Sequence, residues 1–202
     1  MFTGLIEDVG RVEKMERRGR SAQIWIKTSL RGLKPGESIS VNGICLTIAE
    51  ADRGVFRADI SGESLARSTI GKLAPEEKVN LERSLPADGR FGGHFVLGHI
   101  DGVGRVKEAE RIGDYMKLSI TAPPGILRYI VDKGSVAIDG ISLTVSEVKG
   151  GAFTLVIIPE TLKRTDVSDK MPGQEVNIEC DIIGKYVEKF TSGKGEGITI
   201  EK

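Results

Sequence analysis

The 202-residue sequence carries 29 lysines and arginines against 29 aspartates and glutamates, so its net charge is zero when both histidines are neutral. A protein that neutralises many phosphates needs a basic face, and this balance therefore argues against nucleic-acid binding. A composition of 39% hydrophobic and 29% charged residues is too apolar for disorder and suits a globular protein of one or two domains.

The chain begins with a segment that returns near its middle. Gly4–Val12 reappears as Gly98–Val106, offset by 94 residues. Three later blocks reappear with an offset of 97 residues: Ser38–Glu50 as Ser135–Glu147, Glu63–Ser68 as Glu160–Thr165, and Val79–Glu82 as Val176–Glu179. The common order of the blocks indicates a tandem duplication with one three-residue insertion. A period this long is too large for a solenoid repeat, so we expect two complete domains, residues 1–96 and 97–181.

Within each copy the pattern is that of β-structure. Four segments alternate apolar and polar residues: Ala22–Thr28, Val55–Ile60, Met116–Thr121 and Phe153–Ile158. Short strands separated by glycine-rich turns predict a barrel or sandwich in each copy. Short helices are predicted at Glu63–Ser68, Gly125–Asp132 and Glu160–Thr165.

The segment Ser38–Glu50 changes its apolar phase in the middle. Ile39 and Val41 are apolar at odd positions, whereas Ile44 and Leu46 are apolar at even ones. We interpret this as one strand with a bulge at Asn42-Gly43; a tight hairpin turn at that dipeptide is the alternative. Both interpretations place Cys45 and Thr47 on the face opposite the apolar row, and Ser142 and Thr144 on its counterpart in the second copy.

Cysteine and histidine offer few metal or redox motifs. Cys45 and Cys180 are far apart in sequence, and His94 and His99 are the only histidines, so a disulfide scaffold and a three-histidine site are both excluded. No run of about 18 apolar residues predicts a membrane span, and the first residues do not resemble a secretory signal. We therefore expect a cytoplasmic, metal-free protein. His94 by itself is interpreted as a structural residue.

The last periodic segment, Ile182–Phe190, predicts a helix outside the repeat. Ile183, Tyr186, Val187 and Phe190 follow helical spacing. This apolar face either packs on the helix's own barrel or binds other subunits. Residues 191–202 form a polar, glycine-bearing tail that we expect to be mobile.

Several motifs together closely resemble the riboflavin synthases of the trimeric α-chain type. They are Met1–Glu7, Ser38–Thr47, Gly92–His99, Asp139–Thr144, Ile158–Thr161 and Asp181–Val187. The resemblance implies an all-β fold of two tandem six-stranded Greek-key barrels, followed by a trimerising helix at 182–190. It implies dismutation of two 6,7-dimethyl-8-ribityllumazine molecules to riboflavin and a pyrimidinedione, without a cofactor. The alternative is a non-catalytic lumazine- or flavin-binding protein of the same fold.

The resemblance also assigns site residues. The N-terminal pocket is expected to comprise Gly4, Leu5, Ile6, Cys45, Leu46, Thr47, Asp59, Ile60, Ser61, Gly62, Glu63, Ser64, Gly98, His99 and Ile100. The C-terminal pocket is expected to comprise Lys133, Ser142, Leu143, Thr144, Val156, Ile157, Ile158, Pro159, Glu160 and Thr161, with Phe2 and Thr3 beside the lumazine ring. Cys45, His99 and Ser38 match the positions considered for catalysis. The implied partners are the substrate, riboflavin and two further copies of the chain, and the resemblance admits an association with lumazine synthase.

Overall fold

The computed structural model describes residues 1–192, which form two closed, six-stranded antiparallel barrels and a C-terminal helix. The first barrel contains β1 (Asp8–Arg18), β2 (Ser21–Lys27), β3 (Ser38–Val41), β4 (Ile44–Asp52), β5 (Val55–Ile60) and β6 (Lys78–Arg83). The second contains β7 (Gly102–Ile112), β8 (Tyr115–Thr121), β9 (Ser135–Ile138), β10 (Ile141–Lys149), β11 (Ala152–Ile157) and β12 (Glu175–Cys180). The helices are α1 (Gly62–Arg67), α2 (Pro124–Leu127), α3 (Pro159–Arg164) and α4 (Ile182–Thr191), with 3-10 turns at Ile70–Lys72 and Asp166–Asp169. The predicted all-β fold is confirmed.

Both barrels have the same strand order. The first runs β1-β2-β5-β4-β3-β6 and closes by pairing β6 with β1; the second repeats this order as β7-β8-β11-β10-β9-β12. Because β3 pairs with β4 and β6 and not with β2, the connection is of the Greek-key type. The interiors are filled by side chains such as Ile24, Phe56, Leu118 and Phe153, which are at most 1% exposed. Ligands must therefore bind outside the barrels.

The segment Ser38–Glu50 is two strands, so its interpretation as one bulged strand is wrong. Asn42 and Gly43 form a two-residue turn with φ of 46° and 81°, and Asp139 and Gly140 do the same with φ of 44° and 81°. Positive φ at both central residues defines the type I′ hairpin, which Asn-Gly and Asp-Gly favour. The predicted facing is confirmed, because Ile44 and Leu46 are buried while Thr47 is exposed.

The segments that precede β1 and β7 are exchanged between the barrels. We call residues 2–6 the first arm and residues 96–100 the second arm. The arms pair with each other, since Phe2 N donates to Val96 O at 2.7 Å and Val96 N donates to Phe2 O at 3.2 Å. Ile6 of the first arm is buried in the core of the second barrel, and Ile100 of the second arm packs on the core of the first. Each barrel is therefore completed by the other half of the chain.

A buried polar network joins the two hairpin turns. Asn80 Nδ2 donates to Asp139 O at 3.1 Å, and Asn177 Nδ2 donates to Asn42 O at 2.9 Å. One half carries a charge cluster as well: Lys170 Nζ lies 2.8 Å from Asp139 Oδ2 and 3.0 Å from Asp166 Oδ2. Burial raises the pKa of Asp139, although Lys170 opposes the shift. These side-chain contacts fix the orientation of the barrels.

Helix α4 contacts the second barrel through its polar face. Lys185 Nζ contacts Asp101 Oδ1 at 2.6 Å, and Glu188 contacts Arg128 and Tyr129. Its predicted apolar face is open: Ile183, Tyr186, Val187 and Phe190 are between 54% and 72% exposed. The interpretation that this face packs on its own barrel is therefore wrong.

The short helices agree with prediction except at α2. It ends at Leu127, five residues before the predicted end, because the chain continues in tighter turns with Tyr129 N donating to Ile126 O. Within the described residues, no helix is long and apolar enough to cross a membrane. The predicted polar tail lies outside those residues from position 193 onward.

Candidate functional site

An open pocket lies on the outer face of the first barrel. Two adjoining cavities, of about 470 and 350 Å³, share Cys45 and Ser64 in their walls. The first is lined by Ile44, Cys45, Glu63, Ser64, Arg67, Ser68, Gly98, His99, Ile100, Asp101 and Lys185, and the second by Cys45, Leu46, Thr47, Ala49, Asp59, Ser61 and Ser64. Ser61 caps α1 by accepting a hydrogen bond from Ser64 N at 3.1 Å, which fixes this wall. We call this the N-terminal pocket.

The second arm closes the N-terminal pocket by a backbone contact. Cys45 N donates to Gly98 O at 2.9 Å. Gly98 has φ of +83°, and a Cβ at this position would lie 2.5 Å from Cys45 Cβ. Only glycine combines this conformation with such a close approach. The result is that His99, the next residue of the arm, is held in the pocket wall next to Cys45.

The equivalent face of the second barrel is completed by the first arm. Ser142 N donates to Gly4 O at 2.9 Å, and Gly4 repeats the left-handed conformation of Gly98 with φ of +78°. Ser142, the counterpart of Cys45, is also 2.7 Å from His94 Nδ1 through its hydroxyl. Leu5 occupies the position that His99 has in the other arm. We call this face the C-terminal pocket because the repeat relates it to the N-terminal pocket, and its chemistry differs from that of the first at both positions.

His94 is a buried partner in the C-terminal pocket. It is 8% exposed, and burial lowers the pKa of its imidazole, so the ring is neutral near pH 7. Its Nε2 has no hydrogen-bond partner among residues 1–192. A neutral imidazole next to a hydroxyl can accept or donate a proton, so this pair adds acid–base capacity to the C-terminal pocket.

The predicted site segments alternate between the pocket and the barrel core. The inward members, Leu46, Ile60, Leu143 and Ile157, are buried in the two cores. The outward members reach the pocket faces: Cys45, Thr47, Asp59, Ser142, Thr144, Val156 and Ile158. This follows from the two-residue period of a strand. The ranges assigned by resemblance therefore contain both outward-facing residues and residues of the barrel cores.

The structure divides the predicted N-terminal set. Gly98–Ile100 lies with Cys45 and α1, as predicted. Gly4–Ile6 lies instead against Ser142 of the second barrel, because the arms are exchanged. Pro159, Glu160 and Thr161 form the start of α3, at the end of the strand that carries Val156.

Four further predicted residues lie apart from these pocket centres. Ser38 is opposite Thr47 in the β3–β4 ladder, but it lines a different cavity with Glu37 and Arg83. Lys133 is exposed before β9 and has φ of 65°. Phe2 is fully buried between the barrels, and Thr3 is buried against the carboxylate of Glu82. Phe2 and Thr3 thus anchor the first arm through buried contacts and do not line the pocket centres.

Two buried glutamates hold the arms and were not among the predicted site residues. Glu82 accepts hydrogen bonds from the first arm, and Glu179 accepts them from the second. Burial raises the pKa of both carboxyls, that of Glu179 to about 7. A signal was present in the sequence, because both residues end the repeated Val-Asn-x-Glu block. By itself the block predicts only the duplication.

Comparison with known proteins agrees with the duplication. The lumazine binding domain family matches residues 3–84 and, a second time, residues 97–181. A riboflavin synthase of Actinobacillus pleuropneumoniae is 43% identical over 94% of this chain and 89% of its own length, and a riboflavin synthase of Bacillus subtilis (strain 168) is 39% identical over 98% and 94%. The crystal structure of LumP complexed with riboflavin superposes with a TM-score of 0.83 at 25% identity, covering 89% of this chain and 99% of LumP. The chain therefore contains two lumazine binding domains and belongs to the riboflavin synthase family.

Proposed function

We propose that the chain is a riboflavin synthase. It transfers a four-carbon unit between two molecules of 6,7-dimethyl-8-ribityllumazine, giving riboflavin and 5-amino-6-ribitylamino-2,4(1H,3H)-pyrimidinedione. The observation that carries the proposal is the pair of repeat-related outer faces, one with Cys45 in a cavity wall and the other with Ser142 at the equivalent position. A reaction between two identical molecules with opposite roles, donor and acceptor, needs two such related but unequal sites.

The pockets contribute mainly by holding two rings in register. Positioning of this kind is worth up to roughly 7–11 kcal/mol of the activation barrier. The remaining chemistry, proton removal from the C7 methyl group and addition to the second ring, needs only modest acid–base help. We assign His99 to proton transfer and Cys45 to the pocket wall that assists addition. Ser38 acts from the neighbouring strand β3 on a ligand that the adjacent subunit brings to it.

We propose further that the active form is a homotrimer assembled through α4. The exposed apolar face of that helix supports this, because burying Tyr186 and Phe190 against other copies removes large apolar side chains from water. A pocket on the outside of a barrel leaves one ligand face open, and a C-terminal barrel of a neighbouring chain can cover it with the second lumazine. The cytoplasmic location and an association with lumazine synthase stay predictions.

Direct turnover tests the reaction. Purified protein incubated with the lumazine should develop flavin absorbance without added cofactor. Binding of lumazine without conversion would contradict the synthase assignment and favour a carrier.

Mixing two inactive variants tests where the reaction takes place. His99→Ala damages the N-terminal pocket alone, and Thr144→Trp fills the C-terminal pocket alone. Mixed trimers contain intersubunit pairs of intact pockets, so activity should return after co-assembly. Absence of activity in mixed trimers confirmed by mass would contradict intersubunit sites and place both lumazines on one chain.

A further inference from the structure

Two glutamates at repeat-related positions are buried without an ion-pair partner in the described part of the chain. Glu82 lies near the end of β6 and is 4% exposed; Glu179 has the repeat-related position near the end of β12 and is 2% exposed. Burying a carboxylate costs free energy unless hydrogen bonds compensate it. A buried apolar residue would cost the barrel less free energy of folding, so the stability of the barrel does not explain the two carboxylates.

Each carboxylate accepts three hydrogen bonds from one arm. Glu82 Oε1 accepts from Thr3 N at 2.7 Å and from Thr3 Oγ1 at 2.8 Å, and its Oε2 accepts from Gly4 N at 2.9 Å. Glu179 Oε1 accepts from Leu97 N at 2.7 Å, and its Oε2 accepts from Gly98 N at 2.9 Å and His99 N at 3.2 Å. Hydrogen bonds to a charged acceptor are about twice as strong as neutral ones.

The three bonds are not equivalent in the two arms. In the first arm one of them comes from the Thr3 side chain. In the second arm all three come from successive backbone N–H groups, and the last belongs to His99 itself. Glu179 therefore contacts the backbone of the residue that brings the imidazole to the pocket wall.

The glycine that donates its N–H to the glutamate also contacts the outer face of the other barrel, through its carbonyl oxygen. Gly98 donates its N–H to Glu179, and its carbonyl accepts from Cys45 N. Gly4 does the same between Glu82 and Ser142. Each glutamate thus fixes the position of one arm against the pocket strand of the other barrel. Glu179 lies on the second barrel, for example, but acts on the N-terminal pocket of the first.

We propose that Glu179 is a positioning residue for the N-terminal pocket, and that Glu82 is the corresponding positioning residue for the C-terminal pocket. The effect is crossed, because each carboxylate belongs to one barrel and completes the ligand site of the other. Among the charged groups around Glu179, Lys185 of α4 favours the carboxylate and Asp101 opposes it. The inference deepens the proposed function and rests on its two ligand pockets.

The test compares Glu179→Gln with Glu82→Gln in the full chain. Glutamine keeps the size of glutamate but replaces one acceptor oxygen by an NH₂ group, which faces an arm N–H and cannot bond to it. Glu175→Gln is the matched control, because Glu175 lies at the half-buried start of the same strand β12 and its carboxylate pairs with Lys72 and Arg105 and not with an arm. Each variant is combined with Thr144→Trp, which leaves only the N-terminal pocket open, or with Thr47→Trp, which leaves only the C-terminal pocket open.

Riboflavin binding is measured in each background by quenching of flavin fluorescence at pH 8, where Glu179 is ionised. Glu179→Gln should weaken the N-terminal site by about tenfold, the effect of one lost charge-assisted hydrogen bond, and should leave the C-terminal site unchanged. Glu82→Gln should give the opposite pattern, and Glu175→Gln should change neither site. In the full enzyme Glu179→Gln should also lower kcat, because His99 is displaced.

Equal weakening of both sites, or of neither, would overturn the proposal, since a purely structural carboxylate would act on both through stability. If Glu179→Gln does not fold, Glu179→Asp is used, since it keeps the charge but shortens the reach to the three N–H groups; the same crossed pattern is required of it. Failure of the two tryptophan variants to remove one site each would instead count against the proposed pockets themselves.

Discussion

Replacing Gly98 by alanine tests the close approach on which the N-terminal pocket depends. Gly98 has φ of +83°, and an added Cβ would lie 2.5 Å from Cys45 Cβ and 2.7 Å from Cys45 N. The left-handed conformation alone costs an L-residue roughly 1–2 kcal/mol. Overpacking adds about 1–3 kcal/mol, and displacement of the arm loses the Cys45 N–H bond, worth about 0.5–1.5 kcal/mol. We expect Gly98→Ala to lower the free energy of unfolding by about 2.5–6.5 kcal/mol.

Gly19→Ala is the matched control, because Gly19 has φ of +60° and no atom within 4 Å of an added Cβ. It should cost only the conformational part, about 1–2 kcal/mol. Urea unfolding at one fixed protein concentration measures both variants, since association would otherwise contribute to the apparent stability. Gly98→Ala should also weaken riboflavin binding in the N-terminal pocket. Equal destabilisation by the two substitutions, within about 0.5 kcal/mol, would refute the contact between the arm and Cys45.

Three further outcomes are expected. Cys45→Ser should reduce kcat only partly, because the hydroxyl keeps size and polarity; unchanged binding with no detectable turnover would show that the thiolate is essential. The pKa of His94 is lowered in the fold, so the stability that it contributes is present above its ordinary pKa of 6.5 and is lost as pH falls below that value. The free energy of unfolding, measured from about pH 5 to 8 where histidine titrates, should fall as pH falls, and His94→Gln should reduce this dependence. Lys170→Met leaves Asp139 and Asp166 without their cation and should destabilise the protein by about 3–5 kcal/mol at pH 7; an unchanged urea midpoint would contradict this.

The local sequence determined the elements and their facing. Strand alternation predicted which residues of a pocket segment point outward, as at Cys45 and Thr47, because the two-residue period is a property of the strand alone. The four repeated blocks predicted the duplication, because similar local sequences fold into similar local structures. The Asn42-Gly43 dipeptide is compatible with both a bulge and a turn, and only the pairing of β3 with β4 shows that it forms a turn.

Tertiary structure decided what meets across the two barrels. Nothing in the order of the chain places Gly4 against Ser142, or Gly98 against Cys45, since the arms could equally have completed the barrels that follow them. Their exchange depends on contacts between residues about 50 to 140 positions apart, such as Gly98 with Cys45 and Gly4 with Ser142. Local periodicity contains no information about such pairs, because they arise from packing and from hydrogen bonds that form only when both barrels are folded. The sequence by itself therefore determined two barrels with outward polar faces, and the fold alone determined that the arm of each half completes the outer face of the other barrel.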